Sequence, residues 1–180
     1  MSDNTKNKSL KQKIFFFTGL AAVIVGMSVL GFFAVRKLHR EYIKYKLMSE
    51  NPVIEISDID IKAPVLEGTD NEILAQAAGH FTDTGDFGKG NYCIAAHSSI
   101  IYKEYFNNLK NISMGTDIVL YDVNKNQYTY TADKSYIVKP CETWVLDDFG
   151  DNRITLITCT DDGSQRFVVV GILKENISKE

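Results

Sequence analysis

Ile154-Thr-Leu-Ile-Thr-Cys-Thr160 runs directly into Asp161-Asp-Gly-Ser-Gln-Arg-Phe-Val-Val-Val170. An apolar, β-branched run ends on a cysteine, a polar turn follows, and an arginine opens a second apolar run. β-Branched residues suit a pleated, half-buried surface, and Asp-Gly-Ser is turn chemistry. The stretch therefore reads as a hairpin whose facing strands end on Cys159 and Arg166, with the thiol where a strand emerges. If the register permits, the two side chains meet across the turn.

Upstream the same grammar repeats. Val53-Ile-Glu-Ile-Ser-Asp-Ile-Asp-Ile-Lys-Ala-Pro-Val-Leu66 alternates apolar and polar residues, which predicts a strand or strand pair. Thr69 or Asp70 can cap a short helix through Ala78, with Gly79 as its stop. Glycines 85, 88 and 90 mark an exposed loop. Asn91-Tyr-Cys-Ile-Ala-Ala-His97 reads as a strand ending on a histidine, and Ile100–Leu109 as a short helix or irregular turn. Ile118–Tyr121, Gln127–Thr131 and Ser135–Val138 read as strands, with Asn124-Lys-Asn126 as a hairpin turn and 139–152 as a loop. Many short strands, few helices and frequent turns predict an all-β barrel or sandwich.

The 180-residue chain has a net charge of −3, so no global basic field points to nucleic acid. Its charge is nevertheless unevenly placed. Lysines and arginines crowd the first 46 residues and leave the remainder acidic, as expected of a basic membrane flank and an acidic soluble domain. Residues 14–35 carry no formal charge and exceed the ~20 residues needed to cross hydrocarbon as a helix. The reading is a basic tail (1–13), an uncleaved transmembrane anchor (14–35), a juxtamembrane stem (36–50) and one folded domain (51–180). Both flanks of the span are basic, so charge alone leaves its orientation open.

The hairpin carries the chemistry. A cysteine nucleophile needs thiolate character or a partner that creates it. Arg166 supplies a permanent cation that can stabilise a thiolate or a developing oxyanion. Taken singly, Cys159 reads better as a structural cysteine, and Arg166 reads equally well as a surface arginine. The histidines are His39 in the stem, His80 after Gly79 and His97 at a strand end. Residue physics does not choose firmly between His80 and His97 as an acid–base group; the rigid strand before His97 favours it. Cys93 lies in an apolar run and Cys141 in a loop, and a disulfide between them stays open. No P-loop, dinucleotide fingerprint, H-E-x-x-H or C-x-x-C occurs. Asp147, Asp148 and Asp151 lack calcium-loop spacing and read as a solvated acidic loop.

Together these landmarks resemble the sortases, membrane-anchored cysteine transpeptidases of Gram-positive bacteria. Thr155-Leu-Ile-Thr-Cys159 is similar to the family's T-L-x-T-C signature, and Arg166-Phe-Val-Val-Val-Gly171 to its arginine-bearing last strand. Asn91–His97 resembles the strand ending in the family's catalytic histidine, although Ala96 stands where glycine is common. Ala63-Pro-Val-Leu-Glu-Gly68 and Ala78-Gly-His-Phe81 match two further landmarks in the expected order. The resemblance covers about residues 53–173. It implies an eight-stranded sortase-type β-barrel with short helices, preceded by one N-terminal transmembrane helix. It also implies Cys159 as nucleophile, His97 as general acid/base and Arg166 as oxyanion or carbonyl binder.

The expected reaction is cleavage of an LPxTG-like sorting signal through a Cys159 thioester, with transfer to a cell-wall amine. Expected partners are surface proteins with C-terminal sorting signals, a cell-wall precursor peptide and the membrane, with the catalytic domain outside and the N-terminus cytoplasmic. No cofactor or metal is expected, calcium dependence being undetermined. No second membrane segment follows residue 173 and no long lid precedes the domain, which points to a compact A or D type, D before A. The alternatives are a cysteine hydrolase without transfer and a non-catalytic membrane-tethered binding domain.

Overall fold

The structure, a computed structural model, describes residues 3–98 and 105–174. The chain divides into two compact units at Ile43/Lys44. In the first, residues belong to α1 (Asp3–Glu50), and from Phe15 onward the helix is long and apolar enough to cross a membrane. From Phe15 to Leu38 its phenylalanines, valines and leucines are exposed on all sides.

The second unit is a closed barrel of eight strands in the order β1-β2-β3-β4-β7-β8-β6-β5. These are β1 (Val53–Ile56), β2 (Ile61–Glu67), β3 (Ala78–His80), β4 (Asn91–Ala95), β5 (Asp117–Tyr121), β6 (Gln127–Val138), β7 (Arg153–Cys159) and β8 (Arg166–Leu173). Closure pairs β1 with β5 and leaves the sheet without free edges. Adjacent strands are antiparallel except β2 with β3 and β4 with β7.

The alternation read from the sequence becomes two apolar layers. Ile54, Ile94, Leu120, Tyr130, Ile154, Leu156 and Val169 fill the barrel interior. Ile157, Val168, Val170 and Val138 form a second cluster on the outer face, covered by Val145 of the β6–β7 connection. Asn91 fixes that cover. Its buried amide donates to the carbonyls of Val145 (3.0 Å) and Asp147 (2.9 Å), while its oxygen accepts from Thr155 Oγ1 at 2.7 Å.

The expected strand pair at 53–66 is β1 and β2, turned by Asp60 in the left-handed region (φ 54°). Gln127–Thr131 and Ser135–Val138 are one strand, β6, with a bulge between Ala132 and Lys134. Of the expected helix or turn at 100–109, residues 100–104 lie outside the described residues. From 105 the chain forms a turn and then a short 3-10 segment, Leu109–Asn111.

The expected helix through Ala78 is a single turn, α2 (Asn71–Leu74), capped by the Asp70 carboxylate on the amides of Glu72 and Ile73. Ala78–His80 is strand instead. The reason is the role of Gly79, which is not a helix stop. It pairs with Leu66 of β2, and a Cβ there would lie 2.2 Å from the Gly68 carbonyl oxygen. Gly79→Ala is therefore expected to destabilise the barrel by about 1–3 kcal/mol, the usual cost of overpacking. A lowered urea midpoint at unchanged slope checks it; an unmoved midpoint would show that β2 and β3 can part without cost.

Candidate active site

β7 carries inner residues Ile154, Leu156 and Thr158 and outer residues Thr155, Ile157 and Cys159, because side chains alternate with period two. The last β7–β8 pair is Cys159 with Arg166, so the thiol and the arginine occupy directly opposed positions on the outer face. On the other flank, β4 runs parallel to β7 with Ala95 opposite Ile157. The ladder continues one step further, with the Ala96 amide donating to Ile157 O at 3.2 Å and Thr158 Oγ1 to Ala96 O at 2.8 Å. His97 lies two residues beyond Ala95, past the end of β4, and its carbonyl accepts from the Phe106 amide at 3.1 Å. Cys159 and Arg166 close the β7–β8 ladder, His97 follows the end of the neighbouring strand β4, and both His97 and Cys159 are half-buried.

Arg166 hydrogen-bonds the carbonyls of Gln165 (3.1 Å) and Gly163 (3.4 Å), which turns its guanidinium toward the β7–β8 turn. That turn is built around Asp162. Its carboxylate accepts from Thr160 Oγ1 at 2.6 Å, from the Ser164 amide at 3.0 Å and from Ser164 Oγ at 2.7 Å. Gly163 supplies the left-handed residue (φ 72°) that closes the loop. The Thr160 and Ser164 hydrogen bonds lower the Asp162 carboxyl to about 2. A depressed carboxyl contributes its order to the turn above about pH 4, the unperturbed aspartate value, and loses it as pH falls through its own pKa. Carboxyl-carbon NMR is expected to show Asp162 titrating near pH 2, about two units below an ordinary aspartate. A midpoint near 4 would mean that the turn is not held this way.

The two barrel histidines are differently placed. His80 is buried inside β3, stacked on Tyr92 with ring centroids 4.0 Å apart. Its Nδ1 faces both Glu67 oxygens at 3.0 and 3.1 Å, and its Nε2 faces Thr84 Oγ1 at 3.2 Å. Both ring nitrogens are committed to a clasp joining β2, β3 and the loop after it, on the face opposite Cys159. The stem histidine, His39, lies in the first unit.

All three cysteines are free, so Cys93 and Cys141 are not joined. Cys93 is fully buried, and burial pushes its thiol up to about 12, which makes it inert at neutral pH. Cys141 is exposed in the β6–β7 connection.

Beside Cys159, on the inner side of the rim, a cleft of about 280 Å³ opens at the barrel mouth. Phe106, Ile137 and Phe167 give it an apolar floor, and Asn107, Lys110 and Asp161 line its wall. These last three went unnoticed in the sequence. They come from segments some fifty residues apart, and no local pattern connects them. Asp147 and Asp148 line a separate polar cleft with Asp83. Among the described residues, no group of three or more His, Cys, Asp or Glu is placed to hold a metal ion.

Comparison with known proteins bears on this geometry. The family model described as the sortase domain matches residues 54–174. Sortase A of Bacillus anthracis is 34% identical over 122 residues, covering 67% of this chain and 58% of that protein. Sortase A of Listeria monocytogenes serovar 1/2a is 33% identical over 131 residues, covering 71% and 59%. The chain thus spans under 60% of the length of these two relatives. Among solved structures, Listeria monocytogenes sortase A superposes with a TM-score of 0.65 at 31% identity, covering 71% of this chain and 88% of that one. A Clostridium perfringens sortase D5 transpeptidase gives 0.63 at 27% identity, covering 74% and 88%.

Proposed function

The chain belongs to the sortase family, and on that premise we propose that it is a membrane-anchored cysteine transpeptidase. It cleaves an LPxTG-like sorting signal and passes the acyl group through a Cys159 thioester to a cell-wall amine. The observation that carries this reading is the end of the β4–β7–β8 ladder: Cys159 has Arg166 opposite it on β8, and His97 lies two residues past Ala95, the β4 partner of Ile157.

The Cys159 thiolate attacks the carbonyl before the scissile bond, and negative charge develops on the carbonyl oxygen. Arg166 leaves the turn carbonyls of Gly163 and Gln165 and binds that oxyanion, exchanging neutral acceptors for a charged one. His97 donates a proton to the departing amine as the C–N bond breaks. In the second half an acceptor amine attacks the thioester, neutral His97 takes the proton its nitrogen loses, a new C–N bond forms, the C–S bond breaks and Cys159 leaves as thiolate. A thioester suits this transfer because amines attack it readily. The reaction so written uses no cofactor.

The apolar helix from Phe15 anchors the chain, with its N-terminus cytoplasmic and the barrel outside, where cell-wall precursors and surface proteins with sorting signals are met. The β6–β7 connection contains only the 3-10 turn Thr143–Leu146, which supports a compact A or D type, D before A.

The test uses the full chain in detergent micelles with an LPxTG peptide, with and without glycinamide. Cleavage is expected in both cases, and a glycinamide adduct of the N-terminal fragment only when the amine is present. Cleavage without any adduct would leave a hydrolase. No cleavage, with Cys159 alkylated no faster than Cys93 and Cys141, would leave a binding domain.

A further inference from the structure

We propose that the last two turns of α1, residues 44–50, belong to the catalytic unit, and that Lys44 is a positioning residue for His97. This deepens the acyl-transfer reading and rests on it for the role of His97. α1 runs unbroken from Asp3 to Glu50, yet the boundary between the two compact units falls inside it, at Ile43/Lys44. Residues 44–50 thus go with the barrel. Residues 15–42 are exposed throughout, whereas Leu47 and Met48 are half-buried. Lys44, Leu47 and Met48 are spaced i, i+3 and i+4, which places the cation on the same helix face as the two half-buried side chains.

Three holds fix these turns. Asn51 closes the helix, its backbone amide (3.1 Å) and its side-chain amide (3.0 Å) both donating to Leu47 O. Lys125, in the turn between β5 and β6, donates through Nζ to Met48 O at 3.4 Å. Pro52 O accepts from the Val65 amide at 2.8 Å, and the next residue, Val53, pairs with Pro64 of β2 and Tyr121 of β5. Only Asn51 and Pro52 separate α1 from β1, and both are tied, so the helix end moves with the strand.

From this fixed end Lys44 reaches Tyr105. Its ammonium stands over the Tyr105 ring, 5.6 Å from the centroid, within the range of a cation–π attraction. Tyr105 packs on the barrel core, and the amide of the next residue, the fully buried Phe106, donates to His97 O at 3.1 Å. Two residues on, Asn108 Nδ2 donates to Ile59 O at 3.0 Å. The stretch 105–108 is therefore held by the stem at Tyr105 and by the β1–β2 connection at Asn108, and the His97 backbone is bonded to it between those two holds. His97 lies past the end of β4, so this stretch does what the strand ladder does for Cys159. A proton donor displaced by even about 1 Å loses much of its rate advantage, which makes the hold on that backbone part of the catalytic geometry.

The experiment follows leaving-group release in a single turnover, for the full chain in micelles, from an amide-linked and a thioester-linked LPxTG donor. Only the amide needs a proton from His97 as it departs. Lys44→Met keeps the helical preference of the stem and removes the cation. It is expected to slow release from the amide donor about threefold, the fold-change of one exposed cation–π contact, and to leave the thioester donor unchanged. Lys44→Arg is expected to restore the amide rate, because a guanidinium also stacks on an aromatic face. Tyr105→Leu should match Lys44→Met, and in the double variant the losses should not add. Exchange of the Phe106 amide, read by NMR without substrate, should quicken about threefold in Lys44→Met. Equal slowing of both donors, or additive losses in the double variant, overturns the proposal. So does a Phe106 amide that keeps its wild-type exchange rate in Lys44→Met, whether or not the chain is active. A wild-type chain that releases nothing from either donor, while Phe106 exchange still responds to Lys44→Met, overturns the acyl-transfer reading and upholds the brace.

Discussion

Replacing Cys159 by alanine is expected to lower cleavage of an LPxTG peptide by about 10⁴–10⁶-fold, the range over which removal of a covalent nucleophile is felt. Without Sγ no thioester forms, and the remaining groups can at most orient water. The barrel should tolerate the change. Cys159 is half-buried at the rim, while the interior beneath it is filled by Leu156 and Ile154. The stability loss is expected to stay under about 1.5 kcal/mol, the scale of a small volume change at an incompletely buried site. Steady-state cleavage and a thermal melt on one preparation separate the two effects. Activity lost with the melting temperature kept is the expected pair. Residual turnover above about one hundredth of wild type would place the nucleophile elsewhere, and exposed Cys141 would be the next thiol to test.

His97→Ala is expected to slow cleavage of an amide-linked donor by about 10²–10⁴-fold, the usual contribution of a positioned acid–base group. The reason lies in the register. Parallel pairing of β4 with β7 sets Ala95 opposite Ile157, so the chain leading to His97 leaves β4 beside the strand that ends on Cys159. Its role can be read separately from any effect on folding. A thioester-linked donor has a leaving group that departs without prior protonation, so the penalty of His97→Ala should shrink by at least about tenfold with that substrate. An equal penalty on both donors would show that His97 does not protonate the leaving group. His80→Ala should behave differently. It breaks the clasp to Glu67 and Thr84, so it should lower the melting temperature without discriminating between donors.

The elements most readily read were those governed by near neighbours. The β7–β8 hairpin arises from a β-branched run, an Asp-Gly-Ser turn and a second run, and Asp162 and Gly163 organise the turn as their chemistry requires. The apolar helix reflects the absence of charge between residues 14 and 35. The misread helix at 70–78 shows the limit. Glycine after an apolar stretch is a fair stop signal, but here it answers to the Gly68 carbonyl on another strand, which no local window contains. Likewise Ser135–Val138 continued from Gln127 because β8 pairs with β6 from Tyr130 to Val138 and absorbs the irregularity as a bulge.

By itself, the sequence determined the hairpin with Cys159 and Arg166 at its strand ends, the strand that leads to His97 and the N-terminal apolar span. Each depends on periodicity and turn chemistry among near neighbours in the chain. Tertiary structure alone decided the rest. Barrel closure set β4 beside β7 and so brought the strand end that leads to His97 next to the strand that ends on the thiol. It committed both nitrogens of His80 to Glu67 and Thr84 on the opposite face, and it brought Lys110 to Asp161 across the mouth. The physical reason is that interstrand register is selected by burying two apolar layers at once, a condition on the whole barrel that no single segment of the chain can express.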